Sequence, residues 1–177
     1  MNPLEVEDIL KTFRIIIDNR EHQTAKAKRR YKSFGVPTQK ATLDYGDYCW
    51  NATIDDSPRY DISGRVAPAC CIERKMSLDE LAMCFTSGRR RFKREFERAK
   101  KNGARMYLLV ENGSWEGIIL HRYRSKFHPH AFLASLAAWM VRYRVPVIFC
   151  KEETSGKLIR EILYRDLKEQ LEGADDG

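Results

Sequence analysis

The stretch IERKMSLDEL at positions 72–81 constrains this chain more than any other. Cys70, Cys71 and Ile72 ahead of the charges are apolar enough for a buried strand. Ser77 with Glu80 three residues on has the form of a capping box that opens a helix. On a strand, side chains two residues apart share a face, so Glu73 and Lys75 point the same way and can act on one substrate atom, while Arg74 points the other way. A buried strand that ends in three ionisable residues is a usual place for catalytic groups in mixed α/β folds, because an ordinary core would not hold those charges cheaply. Taken alone, Glu73 and Lys75 also fit an ordinary same-face ion pair.

A chain of 177 residues suits one compact domain with a substantial core. Its net charge of +7 comes from 32 basic and 25 acidic side chains. The excess is uneven: residues 26–32 and 89–105 are strongly basic and the tail at 172–176 is acidic. Clustered basic charge favours a polyanionic partner, with a generally basic soluble protein as the plainer alternative. Five cysteines without a CxxC spacing fit reduced thiols in an intracellular, cytoplasmic protein and give no zinc motif. The N-terminus has neither a basic start nor a long apolar run, and no stretch reaches membrane-spanning length. The glycosylation-like triplets at Asn51 and Asn112 then carry no meaning, since that chemistry needs the secretory route.

The pattern predicts a strand at 15–17 ending in Asp18 and a basic helix over 22–34 closed by Gly35. Two strands at 39–43 and 47–53 flank Tyr45-Gly46 and are expected to form a tight hairpin, followed by a loop over 55–68. After the strand at 69–75 come a helix to about 86, a helix over 89–102 stopped by Gly103, and a strand at 106–110. A helix at 129–143, a strand at 145–149 and an amphipathic helix at 154–171 complete the chain. The expected organisation is an extension at 1–13, one domain at 14–171 and an acidic tail at 172–177.

Three acidic clusters end or adjoin these strands: Asp18 with Glu21, Asp47 after Gly46, and Glu73. Carboxylates with few histidines or usable cysteines suit a hard cation such as Mg2+ or Mn2+ rather than zinc. Such a cation would bind a phosphate oxygen, lower the pKa of a water and offset charge developing at phosphorus, while Lys75 orients or helps deprotonate that water. The reaction expected is phosphodiester hydrolysis.

In this order, IDNRE at 17–21, GDY at 46–48 and IERKMSLDEL at 72–81 resemble the signature of the XPF-type (XPF/Hef-like) structure-specific endonuclease domain. The resemblance continues through SGRRRFKREFERAKKNGARMYLLVE at 87–111 and covers nearly the whole chain. It implies a restriction-endonuclease-like α/β core, a mixed central sheet flanked by helices, that cuts branched or flapped DNA with a divalent metal and commonly dimerises. It also implies metal binding by Asp47 and Glu73 and a catalytic role for Lys75. Asp18, Arg20, Glu21, Arg74 and Asp79 match motif positions too, with Asp18 and Arg74 counted as catalytic and Arg20 as DNA-binding. Strand alternation makes an ion pair beneath the site an equal alternative for Arg74. Asp79 in a first helical turn is favoured there by the helix dipole whatever the function, so Glu21 and Asp79 are read as supporting residues. Members of that family carry helix-hairpin-helix repeats after the nuclease domain. The sequence has no room for them, so DNA binding is expected from this domain alone, a partner or a homodimer.

On the helix over 89–102, Phe92, Phe96 and Ala99 recur at helical spacing and should face the core, leaving Arg90, Lys93, Arg94, Arg98, Lys100 and Lys101 largely outward. Arg90, Arg91, Arg94 and Arg98 are the DNA-backbone candidates, with a solvated face as the plainer reading. The loop HRYRSKFHPH at 121–130 adds Arg122, Arg124 and Lys126 beside Tyr123 and Phe127, a blend that can hold phosphates and stack on a base. Its histidines lack ligand spacing, and the Ser155-Gly156-Lys157 triplet lacks the rest of a nucleotide loop. The helix at 131–140 is apolar nearly all round, so it is either sandwiched inside the monomer or covers a two-fold interface. The rival functions are a catalytically silent DNA-binding or scaffolding module, or a nuclease for another substrate: a Holliday-junction resolvase, a restriction-like enzyme or an RNase.

Overall fold

A computed structural model of the chain describes residues 2–54 and 64–173; most of the expected 55–68 loop and the end of the acidic tail lie outside them. The elements in chain order are α1 (Pro3–Lys11), β1 (Arg14–Asp18), α2 (Ala25–Ser33), β2 (Thr38–Ala41), β3 (Tyr48–Asn51), β4 (Cys70–Lys75) and α3 (Leu78–Phe85). They continue with α4 (Arg89–Lys101), β5 (Arg105–Glu111), α5 (Trp115–Ile119), α6 (Pro129–Tyr143), β6 (Val147–Cys150) and α7 (Glu152–Glu172). The strands form one six-stranded mixed sheet in the order β2-β1-β3-β4-β5-β6. This is the expected α/β class.

Alternation along the strands divides the core in two. Ile16, Cys49, Cys71, Leu108 and Val110 face the layer built from α3 to α6. Ile15, Ile17, Tyr48, Ile72 and Leu109 face the layer of α1, α2 and α7. The same period of two sends Glu73 and Lys75 toward the first layer and Arg74 toward the second, which the bonds described below bear out.

The hairpin expected across Tyr45-Gly46 does not form. β1 lies between the two strands, parallel to β2 with Ile15 beside Thr38 and antiparallel to β3 with Ile16 beside Cys49. The reason is burial: Ile15, Ile16 and Ile17 are apolar toward both faces and need cover on both, whereas Thr38-Gln39-Lys40 is exposed and suits the sheet edge. α2 carries the chain between the parallel pair β1 and β2, starting from the Thr24 side chain that caps Ala27 N–H.

Two helices lie where no element was predicted. In α1 the Asn2 and Glu5 side chains form a reciprocal capping box, and Val6 packs with Phe13 against the α7 layer. α5 is a single short turn capped by Ser114. The predicted cap of α3 is present: Ser77 Oγ accepts from Glu80 N–H at 3.2 Å, while Glu80 reaches back to Met76 N–H at 2.7 Å. α4 buries Phe92, Phe96 and Ala99 as its spacing requires, and Gly103 at φ +66° reverses the chain into β5. α6 is not sandwiched. It buries Phe132, Leu136 and Trp139, while Ala134, Ala137 and Ala138 are exposed and Val141 is 82% exposed. Among the described residues no helix is long and apolar enough to cross a membrane.

Candidate active site

The loop from β2 to β3 delivers Asp47 to the end of β4, and four hydrogen bonds fix it there. Asp47 N–H donates to Ile72 C=O at 2.8 Å, and Asp47 C=O accepts from Asp18 N–H at 2.9 Å. Its carboxylate accepts from Arg74 N–H at 2.7 Å. One residue earlier, Gly46 N–H donates to Glu95 Oε1 of α4 at 2.9 Å. Gly46 itself is required: its φ is +76°, and a Cβ would meet Cys71 Cβ at 2.8 Å.

Glu73 and Lys75 share one face of β4, and Lys75 Nζ bonds to Glu73 Oε1. Glu73 is 3% exposed and its other oxygen, Oε2, is buried without a partner. Burial pushes Glu73 up to about 7, with the Lys75 charge opposing that rise and Glu95 adding to it. Burial, then the Glu73 charge, likewise lifts Asp47 well above the usual carboxylate range, partly offset by Lys75. Burial alone would lower Lys75, but Glu73 and Asp47 hold it above its ordinary value. In this arrangement Lys75 is a cation and hydrogen-bond donor to Glu73. These groups open into a hollow of about 260 Å³ rimmed by Arg20, Arg91, Arg94, Arg98 and Glu95.

A divalent cation fits the residues present. An orphaned buried carboxylate oxygen is an acceptor that a cation would satisfy, and Asp47 supplies a second carboxylate beside it. Among the described residues no three His, Cys, Asp or Glu side chains form a ready metal cage. One or two carboxylates completed by water and phosphate oxygens is the manner of Mg2+ rather than of a fully protein-built site.

On the opposite face a buried charged network supports Arg74. Its Nη1 donates to Glu111 at 3.0 Å and its Nη2 lies 3.6 Å from Glu21. Glu111, at the end of β5, also takes Arg30 Nε from α2 at 3.1 Å. Tyr48 O–H donates to Glu21 at 2.7 Å. Arg74 thus touches the site through its backbone, which holds Asp47, while its side chain ties β4 to β5 and to the loop after β1.

Asp18 is 1% exposed and fully engaged: it accepts from Arg20 N–H, Nε and Nη2 and from Leu43 N–H, at 2.6–3.0 Å. That leaves it as the brace that sets Arg20 at the rim. Asp79 accepts from the N–H groups of Arg124 and Ser125 at 2.8 and 2.7 Å, which lowers its pKa against the effect of burial and ties the 121–127 loop to α3. Arg90, Arg91, Arg94, Arg122, Arg124 and Lys126 are exposed. Arg98 is not outward as its spacing suggested: Nη2 donates to Asp44 C=O at 2.7 Å and Nε pairs with its carboxylate at 3.1 Å. Sequence reasoning missed Glu95, Glu111 and Arg30. The signal for Glu95 was the 91–95–98 spacing, which puts a lone acid on the stripe of α4 next to its apolar face. Nothing local marks Glu111, whose partners are distant in sequence.

The ERCC4 domain model matches residues 17–162. A solved structure of XPF from Aeropyrum pernix matches with a TM-score of 0.59 and 21% identity, over 86% of this chain and 61% of that one. A second, of the same organism's XPF in complex with DNA, matches with a TM-score of 0.59 and 22% identity, over 86% of this chain and 63% of that one. The chain therefore spans somewhat over three-fifths of those proteins. No curated protein matches it. With the match running from the first acidic cluster well into α7, the chain belongs to the ERCC4 domain family, the XPF-type nuclease domain, whose members are typically endonucleases that use a divalent metal.

Proposed function

We propose that this protein is a divalent-metal-dependent DNA endonuclease that hydrolyses phosphodiester bonds in branched or flapped DNA. The observation that carries the reading is the meeting of Asp47, the unpartnered Glu73 Oε2 and the Lys75 cation in one hollow rimmed by arginines. Asp47 and Glu73 would hold Mg2+ or Mn2+, which supplies screening of phosphate charge and a more acidic bound water. Lys75, kept charged by its acidic neighbours, orients a nucleophilic water and faces the negative charge that builds on the phosphate oxygens. Arg91 and Arg94 approach the phosphate backbone from the rim, and the exposed Arg122, Arg124 and Lys126 extend the positive surface from the loop that Asp79 anchors. A branch or flap is favoured over plain duplex because Tyr123 and Phe127, part-exposed in that loop and held on Phe132, offer rings on which an unpaired base stacks.

A second copy of the chain is the proposed cover for the outer face of α6. That face carries Ala134, Ala137, Ala138 and Val141 with no charged side chain between Phe132 and Val141, and the exposed Ile119 and Leu120 add to the apolar surface of this layer. Light scattering should give twice the chain mass, returning to one chain mass in Val141→Glu.

The chemistry is tested with end-labelled flap, fork, four-way-junction and duplex DNA in Mg2+, Mn2+ or EDTA, beside folded Asp47→Asn and Glu73→Gln proteins. The expected result is metal-dependent cutting of a branched substrate, reduced more than about 100-fold in both variants. Binding of the same DNAs without cutting under any metal would replace this reading with that of a binding module.

A further inference from the structure

α4 is a basic helix, yet Glu95 stands in the middle of it, one turn from Arg91 and one turn from Arg98 on the same stripe. An acid placed there merely to moderate the local charge would pair with an arginine. Among the described residues, no cation lies within ion-pair distance of Glu95. Arg98 reaches across to Asp44, and Arg20 forks onto Asp18. Glu95 instead accepts from Gly46 N–H, the residue before Asp47, and lines the same hollow as Asp47, Glu73 and Lys75.

Carboxylates that line one hollow, here Asp47, Glu73 and Glu95, repel unless something positive joins them. Lys75 answers one oxygen of Glu73, and Glu73 Oε2 remains buried and unpartnered in the same hollow. That orphan atom points to a cation or its bound water as the missing partner.

We infer that Glu95 is a third acidic residue of the reaction site, supporting through a water the divalent cation that Asp47 and Glu73 hold while clamping the loop that presents Asp47. This rests on the metal-dependent reading above. Glu95 is a positioning residue: one oxygen fixes Gly46 and so the approach of Asp47, and the negative charge raises affinity for the cation without a direct bond. Such outer partners of metal sites are worth about 10–100-fold in affinity.

The test is Mn2+ binding, measured by isothermal titration and by the loss of the free-ion paramagnetic signal, for wild type, Glu95→Gln, Glu95→Ala, Asp47→Asn and Glu73→Gln. Thermal unfolding confirms that each is folded. Glu95→Gln retains a carbonyl oxygen for Gly46 N–H and removes only the charge. It should bind Mn2+ about 10–100-fold more weakly, while its affinity for DNA in EDTA stays the same or rises, because a negative charge has left a basic helix. Glu95→Ala should show at least that loss. Wild-type affinity in Glu95→Gln, with binding lost in Asp47→Asn and Glu73→Gln, would overturn the role of Glu95 and leave the nuclease reading standing. No Mn2+ binding by wild type, with or without DNA, would overturn both.

Discussion

Gly46 is the residue on which the site's geometry turns, because it combines a positive φ with a close approach to Cys71. Gly46→Ala is expected to destabilise the protein by about 1–3 kcal/mol, read as a lower urea midpoint. Its effect on cleavage should exceed what the lost stability explains, since Asp47 is the next residue. An unchanged midpoint would show that the loop shifts to admit the methyl. Thiol chemistry gives a second residue-scale test. All five cysteines are free, and burial pushes the Cys49, Cys70 and Cys71 thiols up and the half-buried Cys150 thiol up to about 11. At pH 8 each then holds less thiolate than a free cysteine, so alkylation of the native protein should be slow. Cys150 should react before the fully buried three, whose labelling should track unfolding. Rapid labelling of Cys71 in folded protein would contradict this packing.

At the scale of elements, the Arg30–Glu111–Arg74 network joins α2, β5 and β4 from the side opposite the hollow. Arg30→Ala leaves Glu111 buried with half its compensation gone and should cost about 3–5 kcal/mol, visible in denaturant unfolding. A loss under 1 kcal/mol would show that water replaces the guanidinium. None of this was legible in the sequence, because each pair links residues tens of positions apart and Glu111 looks like the end of an ordinary strand. What was legible is local: the Ser77 cap, the apolar spacing of Phe92, Phe96 and Ala99, and the stop at Gly103. The false hairpin came from the same source. Tyr45-Gly46 is a genuine local turn signal, but strand pairing is decided by which strand needs cover on both sides, and that strand was β1. α1 escaped notice although Asn2, Pro3 and Glu5 spell its cap, because only packing against α7 shows what the helix is for. The order of the acidic clusters put Asp47, Glu73 and Lys75 together as neighbours; the spacing of α4 marks Glu95 as a lone acid on its stripe, but only the tertiary fold brings it to the same hollow.

For the molecule as a whole, positive charge lies at the rim of the hollow and on the outer face of α4. Replacing the exposed Arg90, Lys93 and Arg94 with alanine should weaken binding to all DNA structures alike and flatten the slope of log K against log salt by about 0.9 for each phosphate no longer neutralised. Anisotropy titrations across a range of NaCl check this, and an unchanged slope would place the DNA elsewhere. The two-layered core has one more consequence. The cover over Ile15, Ile17, Ile72 and Leu109 comes largely from Ile159, Leu163, Leu167 and Leu171 of α7, the last helix of this domain to be synthesised. While the ribosome is still making that helix, the strands that carry Asp18 and Glu73 have only part of the cover on that face, from α1 and α2. A nascent chain therefore holds every acidic residue of the site before it can hold them firmly in place, and the proposed cutting surface is complete only once translation has passed α7.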